Sequence, residues 1–535
     1  MRRWNGWGDE KVKGTLPALA EAFLKLTIGE STPLQDIGFA ELQSQVPASQ
    51  VNEEPFLKTD AETRLLFSRG QSLPDLIALR SGKGIVSPDA VAFPDSTAAV
   101  QEILQFALKN DFVVIPYGGG TSVAGHINPP LDSPRPVITI SLERLSELIT
   151  LNADSLLAKF GAGIRGPQIE KILRRMGFTL GHYPQSFEYS TLGGWVATRS
   201  SGQQSLLYGR IESLFAGGTV VTCNGLINLP PFPASAAGPD LRQFFLGSEG
   251  RFGIISEVTV RLSLLPESER FEAAFFPSWQ SAITALKTLV SLKLPLSMLR
   301  LSTTNETNTN LKLAGHDDLV SLLEAVLSLK GARDEKCMLI YGLTGSKKQV
   351  AQGKQFVVDV IEKNGGIAVL SLLGLGSSWA KKRFSAPYLR NTLWEKGYAV
   401  DTLETSTTWD KLDETLKAVE AALSRTLEKE KVHVFTHLSH IYSSGSSIYT
   451  TYIFRVGATS EETLERWQRL KKAASEAIVA NGATISHQHG VGRDHAPYLA
   501  AEKGDLGMQA INALAHSFDP GKNLNPGVLL GDTER

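Results

Sequence analysis

The turn Pro116-Tyr117-Gly118-Gly119-Gly120-Thr121-Ser122 constrains this chain more than any other segment. It follows Phe112-Val113-Val114-Ile115, an apolar run that reads as a buried strand. Consecutive glycines let the backbone approach a bulky anion, with N–H groups aimed at it and no Cβ in the way. Thr121 and Ser122 add hydroxyl donors. Further along comes Pro184-Gln185-Ser186-Phe187-Glu188-Tyr189-Ser190-Thr191-Leu192-Gly193-Gly194, then Thr198-Arg199-Ser200-Ser201-Gly202. That is a second group of glycines, with hydroxyls and one cation, Arg199. Two anion-cradling loops in one domain imply a pyrophosphate cofactor held from two sides.

The 535 residues suffice for two or three domains with a large core. A net charge of -1, from 54 basic and 55 acidic side chains, argues against a nucleic-acid surface. Cys223 and Cys337 lie far apart and outside any metal spacing, so neither a disulfide framework nor a structural zinc site is expected. No apolar run reaches the length of a membrane span. Met1–Gly8 has no apolar stretch behind its arginines and so is no signal peptide, and Asp532–Arg535 is no peroxisomal signal. A cytoplasmic location is the expectation. Peripheral membrane contact and a homodimer stay open.

Along the chain, residues 1–85 carry short helical patterns and form a first segment. From 86 to 266 the pattern is that of a cofactor-binding α/β unit. Asp95-Ser96 can cap a helix with Val100, Ile103, Leu104, Ala107 and Leu108 on one face. Strands are predicted at 137–142 and 156–160, and Pro167 starts a further helix. A third glycine-punctuated turn, Leu246-Gly247-Ser248-Glu249-Gly250-Arg251-Phe252-Gly253-Ile254-Ile255, enters a strand, and Pro266 marks a boundary. Residues 267–505 alternate long amphipathic helices (279–292, 317–330, 347–363, 409–431, 460–481) with strands such as 337–343 and 448–456. That pattern reads as an α+β domain, an antiparallel sheet with helices on one face. Residues 506–535 end in a turn-rich segment containing Asn525-Pro526-Gly527.

Together these residues resemble the vanillyl-alcohol-oxidase class of FAD flavoproteins. The class implies an α+β fold: a two-part FAD-binding domain, an α+β cap domain with an antiparallel sheet and helices, and a C-terminal segment returning to the flavin. Within the class the chain is most similar to the alkylglycerone-phosphate synthase family, nearly end to end. The resemblance rests on Arg3-Trp4-Asn5-Gly6-Trp7-Gly8, Pro116–Ser122, Ser190–Val196, Gly247–Gly250, Glu404-Thr405-Ser406 with Trp409-Asp410, and His487-Gln488-His489-Gly490-Val491-Gly492. It implies an FAD-dependent transferase that exchanges the acyl chain of an acyl-dihydroxyacetone phosphate for a fatty alcohol, with small-molecule lipid substrates. Cofactor-binding residues by this resemblance are Pro116, Tyr117, Gly118, Gly119, Gly120, Thr121, Ser122, Gln185, Ser186, Ser190, Thr191, Gly194, Thr198, Arg199, Ser200, Ser201, Glu249, Gly250, Gly253, Ile254 and Ile255. No histidine lies within Pro116–Ser122, so non-covalent FAD is expected.

The resemblance makes Tyr449 the acid/base next to the substrate ketone. A phenol with a pKa near ~10 needs cationic neighbours to act as a base, which nearby histidines could supply. Read alone, Tyr449 also fits a core-packing strand aromatic. The resemblance assigns Arg390 to the substrate phosphate, where a guanidinium fork suits a phosphate monoester. The run Lys381-Lys382-Arg383 is the rival cation cluster and reads as a solvated face. Thr402 stands where the family has a serine. Arg300 sits among apolar residues and wants a phosphate, flavin or carboxylate partner. His182 matches a histidine near the substrate or packs at a strand end. His487 and His489 alternate as in a strand, with both side chains on one face; Gln488 replaces a family histidine and cannot carry a proton. His437 and His440 resemble the metal-binding pair of relatives that oxidise 2-hydroxy acids. No third carboxylate ligand is identifiable, so no metal is expected. An FAD-linked 2-hydroxy-acid dehydrogenase or oxidase is the alternative function.

Overall fold

The computed structural model describes residues 2–313, 317–369 and 374–531. Asp532–Arg535, read above as lacking a peroxisomal signal, lies outside the described residues.

Three larger sheets, beside a two-stranded ladder of Phe178–Thr179 with Ser263–Leu264, organise the described residues. In the first, Ala90–Ala92, Val137–Ser141 and Val113–Tyr117 run parallel, and Leu57–Lys58 is added antiparallel at one edge. The parallel strands are buried almost throughout, as expected where both faces are covered. The helix Thr97–Lys109 starts at Ser96, whose side chain accepts from Ala99 N–H. The second sheet is antiparallel, in the order Leu148–Asn152, Leu157–Gly161, Ile254–Arg261, Phe215–Thr222, Gly225–Leu229. One apolar core spans both sheets and takes in Leu499, Ala515, Leu524 and Val528 from the end of the chain. Asn523 O accepts from Val114 N–H at 2.8 Å, and Asn525 N–H donates to Val114 O at 2.9 Å. The C-terminal segment is therefore bonded to the strand that leads into the first glycine turn.

The third sheet has seven antiparallel strands, in the order Ile367–Ala368, Ser268–Phe276, Cys337–Gly345, Leu296–Ser302, His433–Leu438, Gly445–Arg455, Tyr398–Thr408. Helices Trp279–Ser291, Lys347–Lys363, Leu412–Thr426 and Ser460–Ala480 pack through apolar stripes on this sheet and on each other. The helix Ala18–Thr27 also packs here, with Leu24 and Ile28 against Leu393, Tyr398 and Ile453.

Candidate active site

The first two glycine turns close on each other backbone to backbone. A Cβ on Gly118 would lie 2.5 Å from Thr191 Oγ1, and one on Gly119 would overlap Tyr189 O. Gly120 has φ 65°, which favours glycine. Thr191 caps the helix Leu192–Ala197 through Gly194 N–H. The third turn joins them: Gly250, at φ 81°, packs against the Pro116 ring. Ser141, beside Tyr117 in the sheet, and Ser248, in the third turn, carry buried hydroxyls with no partner among the described residues. Orphan donors at the edges of a glycine cradle fit a polar pyrophosphate cofactor. Gly119→Ala is therefore expected to lower the flavin-to-protein absorbance ratio of the purified protein by about tenfold, because the opposing Tyr189 carbonyl is backbone and cannot swing away.

Several cofactor-loop side chains are engaged within the protein. Glu249 accepts from Val491 N–H at 2.5 Å and Gly492 N–H at 2.7 Å, with His126 Nε2 3.2 Å away. Arg199, named among the cofactor-binding residues, donates through Nε to Leu246 O at 3.1 Å and through Nη2 to Gln243 Oε1 at 2.8 Å. Gln185 donates to Arg383 O at 2.7 Å, and Ser190 Oγ bonds Ser186 O and Trp195 Nε1. Thr198 Oγ1 donates to Gly194 O at 2.9 Å, and Ser201 Oγ lies 3.4 Å from Ser205 Oγ. Ile254 and Ile255 are buried in the second sheet.

The remaining groups gather on one face of the seven-stranded sheet. Glu404 lies opposite Tyr449, which lies opposite His437, while Ser302 is also opposite His437. Directly opposed residues share a face, and alternation adds Thr402 and Arg300 to it. His437 stacks on Tyr449 at 4.8 Å between ring centroids, and His489 meets the same ring edge-on at 6.0 Å. Burial pushes the Tyr449 phenol up to about 12, against a hydrogen bond from Thr402 and the charge of Arg390. The histidines expected to supply cations do not. Burial lowers His437 and His489, and takes His487 to about 4. Arg390 is the cation that acts on Tyr449.

Arg390 lies on the short helix Leu389–Trp394. Its Nη1 donates to Gln71 O at 2.6 Å, and Gln71 N–H donates to Ser122 O at 2.6 Å, so one residue connects it to the first glycine turn. Its Nε and Nη2 are buried with no partner among the described residues. The rival run is not uniformly solvated. Lys381 and Lys382 are exposed, but Arg383 is half-buried and stacks over Tyr183 at 4.6 Å and Phe384 at 4.9 Å.

Arg300 has found a carboxylate. Its Nη2 pairs with Glu306, Nη1 donates to Ser302 Oγ at 3.1 Å, and Glu306 Oε2 lies 2.8 Å from His437 Nδ1. Glu306 is buried, which alone would raise it, yet Arg300 and His437 hold it at about 2. An unfolded carboxyl would titrate near 4.5, so the folded group is the stronger acid. Its stabilisation is complete above about pH 4.5 and is lost as pH falls through about 2; the difference corresponds to about 3 kcal/mol. Glu306→Gln is expected to lower the unfolding free energy by about that amount at neutral pH and to flatten acid unfolding across that window. Denaturant melts at several pH values check both.

His487 and His489 are not in a strand. They lie in an irregular turn, where His487 meets Glu404 and His489 meets the edge of the Tyr449 ring. Gly490 (φ 78°) and Gly492 (φ 57°), with Glu249 holding the two N–H groups between and at them, bend the chain there. His487 Nδ1 is 3.2 Å from Glu404 Oε1, and its Nε2 lies 2.6 Å from Tyr442 OH. His440 Nδ1 is 3.1 Å from the same Glu404 oxygen. His437 and His440 thus serve different carboxylates rather than forming a pair. Glu404, His440 and His487 do converge as ligand-type groups. Ser439 and Gln488 also donate to Glu404 at 2.5 Å each, so its oxygens are satisfied by protein donors. Burial alone would raise Glu404; the two histidines and their hydrogen bonds hold it well below the usual carboxylate range. His182 is buried, takes a 3.2 Å bond between Nε2 and Ser200 Oγ, and is lowered to about 3 by burial.

Glu404, Glu306 and Gln71 were not singled out as site residues from sequence. Glu404 had a weak signal, an acid two residues after Thr402 in a strand that is itself largely polar. Glu306 had none, because Thr304-Asn305-Glu306-Thr307-Asn308 reads as a solvated stretch.

Residues 88–228 match the family described as "FAD binding domain", and residues 265–529 match "FAD linked oxidases, C-terminal domain". The alkyldihydroxyacetonephosphate synthase of Trypanosoma brucei brucei is 30% identical over 573 residues, covering 99% of this chain and 92% of the relative. A solved alkyldihydroxyacetonephosphate synthase superposes with a TM-score of 0.82 at 27% identity, over 98% of each chain. The mitochondrial D-lactate dehydrogenase [cytochrome] of Arabidopsis thaliana is less similar, 24% identical over 94% of this chain and 84% of its own.

Proposed function

The chain belongs to the alkyldihydroxyacetonephosphate synthase family, and from that premise we propose that it joins a fatty alcohol to an acyl-dihydroxyacetone phosphate, releasing the fatty acid and leaving an ether-lipid precursor. FAD is the cofactor. The observation that carries the reading is Arg390. It offers two buried, unpartnered N–H groups, acts electrostatically on Tyr449, and is bonded through Gln71 to the flavin-side turn.

In this reading residues 86–266 hold the cofactor and 267–505 form the cap over it, with the 1–85 segment against the cap and 506–535 closing on the cofactor side. Gly118–Ser122, Ser190–Gly194 and Ser248–Gly253 hold FAD, non-covalently. Bound there, FAD supplies a nucleophilic ring nitrogen without net redox change. Arg390 takes the phosphate as a fork. Tyr449 removes the proton beside the ketone. Its resting form is the neutral phenol, and Arg390 favours its ionisation. Thr402 hydrogen-bonds the phenol, and His489 abuts its ring. Arg300 works at one remove, holding Glu306 and so His437 under the Tyr449 ring. His487 is braced by Glu404, and buried, neutral His182 lies beside Ser200.

Among the described residues, no helix is long and apolar enough to cross a membrane. Both long-chain substrates partition into lipid, so peripheral membrane contact belongs to the reading; co-sedimentation with vesicles tests it. A cytoplasmic location is the remaining expectation, and a homodimer stays open.

The deciding experiment mixes the FAD-loaded protein anaerobically with a panel of 2-hydroxy acids, and separately with acyl-dihydroxyacetone phosphate and a fatty alcohol. Fatty-acid release without flavin bleaching is expected. Bleaching by a hydroxy acid, with no ether product, would replace the reading with oxidation.

A further inference from the structure

The segment Arg2-Arg3-Trp4-Asn5-Gly6-Trp7-Gly8 has no part in the chemistry above, yet it lies against it. It doubles back on itself: Arg2 bridges antiparallel to Asp9, and Arg3 N–H donates to Gly8 O at 2.8 Å. At one end, Arg2 Nη1 donates to Tyr117 OH at 2.9 Å and Nη2 to Gly120 O at 3.0 Å, both in the first cofactor turn. At the other, Trp7 N–H donates to Asn391 Oδ1 at 3.0 Å and Asn391 Nδ2 donates to Trp7 O at 2.9 Å. Asn391 follows Arg390. Between the ends, the Trp7 ring meets Tyr189 edge-on at 5.6 Å, and Tyr189 OH lies 3.1 Å from Tyr388 OH. Tyr189 opens the second cofactor turn, and Tyr388 precedes the Arg390 helix.

The fit is tight on the inner side. A Cβ on Gly6 would overlap Asn391 Oδ1, and one on Gly8, whose φ is 85°, would overlap the Tyr388 ring. The Trp7 indole Nε1 is buried with no protein acceptor. Among the described residues the Arg390 guanidinium has one hydrogen bond, to Gln71 O, and it sits on a helix of six residues. A guanidinium held at one point owes its direction to whatever holds its helix. The reciprocal amide pair at Asn391 is a two-point clamp on that helix, buried and satisfied on both sides.

We propose that residues 2–8 are a strap that sets Arg390 at a defined position relative to the two cofactor turns, making Asn391 and Trp7 positioning residues for phosphate recognition. The proposal rests on the reading of Arg390 as the phosphate ligand.

The test uses the FAD-loaded full chain and dihydroxyacetone phosphate as probe, its binding followed by perturbation of the flavin spectrum. Asn391→Ala is expected to weaken the probe about tenfold while FAD content is unchanged. The KM for acyl-dihydroxyacetone phosphate should rise in parallel, with kcat falling less than about threefold. In an Arg390→Met background, Asn391→Ala should add no further loss, because the strap acts through that guanidinium. Unchanged probe affinity in Asn391→Ala, or a fully additive loss in the double variant, overturns the strap. Should Asn391→Ala not fold, Arg2→Gln releases the opposite, exposed end, and unchanged affinity there overturns it equally. Arg390→Met with full probe affinity removes the reading on which the strap rests. If the parent protein forms no ether but Asn391→Ala still weakens the probe, the ether-forming function fails and the strap stands.

Discussion

Tyr449→Phe is expected to retain FAD and bind substrate normally while losing turnover by about 10²- to 10⁴-fold, the range typical of removing a general acid–base group. Only the hydroxyl is lost. The ring keeps its stack on His437 and its edge contact with His489. Thr402 loses one hydrogen-bond partner, a stability change well below what would unfold the protein. Fatty-acid release under saturating substrates reads the loss, and flavin content together with probe affinity shows the site intact. The pH profile is a second readout. With the phenol pushed up to about 12 by burial, the base form is scarce at neutral pH, so turnover should climb with pH across the alkaline range. The Phe variant should lose that climb. A Tyr449→Phe protein with parent activity would remove the residue from the chemistry.

Arg390→Met is expected to raise the KM for acyl-dihydroxyacetone phosphate by about 10²- to 10³-fold. Two charge-assisted hydrogen bonds are lost, each contributing about 1.5–3 kcal/mol, and the lower end of that sum gives the stated factor. Nε and Nη2 have no protein acceptor, so little native bonding is sacrificed beyond the one contact to Gln71 O. Turnover should also fall, because the cation that favours ionisation of Tyr449 is gone. Arg390→Lys separates these effects. It restores the charge beside the phenol but not the planar fork, so kcat should recover more than KM. Initial-rate kinetics over both substrates checks the split; equal recovery of kcat and KM would mean that the fork has no bearing on phosphate.

The two effects share a structural origin. Tyr449 and Arg390 lie on different elements, one on a central strand of the cap sheet and one on a short helix against the N-terminal segment. Gln71 and Trp7 bring the helix to the cofactor side, and neither is near it in sequence.

What the chain reveals by itself is local. Gly118–Gly120 after a buried strand, Thr191 before Leu192–Ala197, and Gly250 at positive φ each follow from a residue and its immediate neighbours, because backbone conformation is set over a few residues. The cofactor class was therefore legible, as was the strand carrying Tyr449. The shared face of Thr402 and Glu404 was not read from the sequence and follows from the pairing of Tyr398–Thr408 with Gly445–Arg455. The partners of charged groups were not legible. Arg300 could have met a phosphate, a flavin or a carboxylate, and only folding brought Glu306 to it from a polar stretch that reads as solvated. His487 looked like one half of a strand pair with His489 until Glu249 and two glycines bent the chain and gave it to Glu404. Arg383 looked solvated beside two lysines until three aromatic rings closed around it. Apart from Arg300–Glu306 and Arg383–Phe384, which are close in sequence, these contacts join residues tens to hundreds of positions apart. They depend on sheet register and on how the cap meets the cofactor domain, and short-range preferences carry no record of either; the tertiary structure alone decided them.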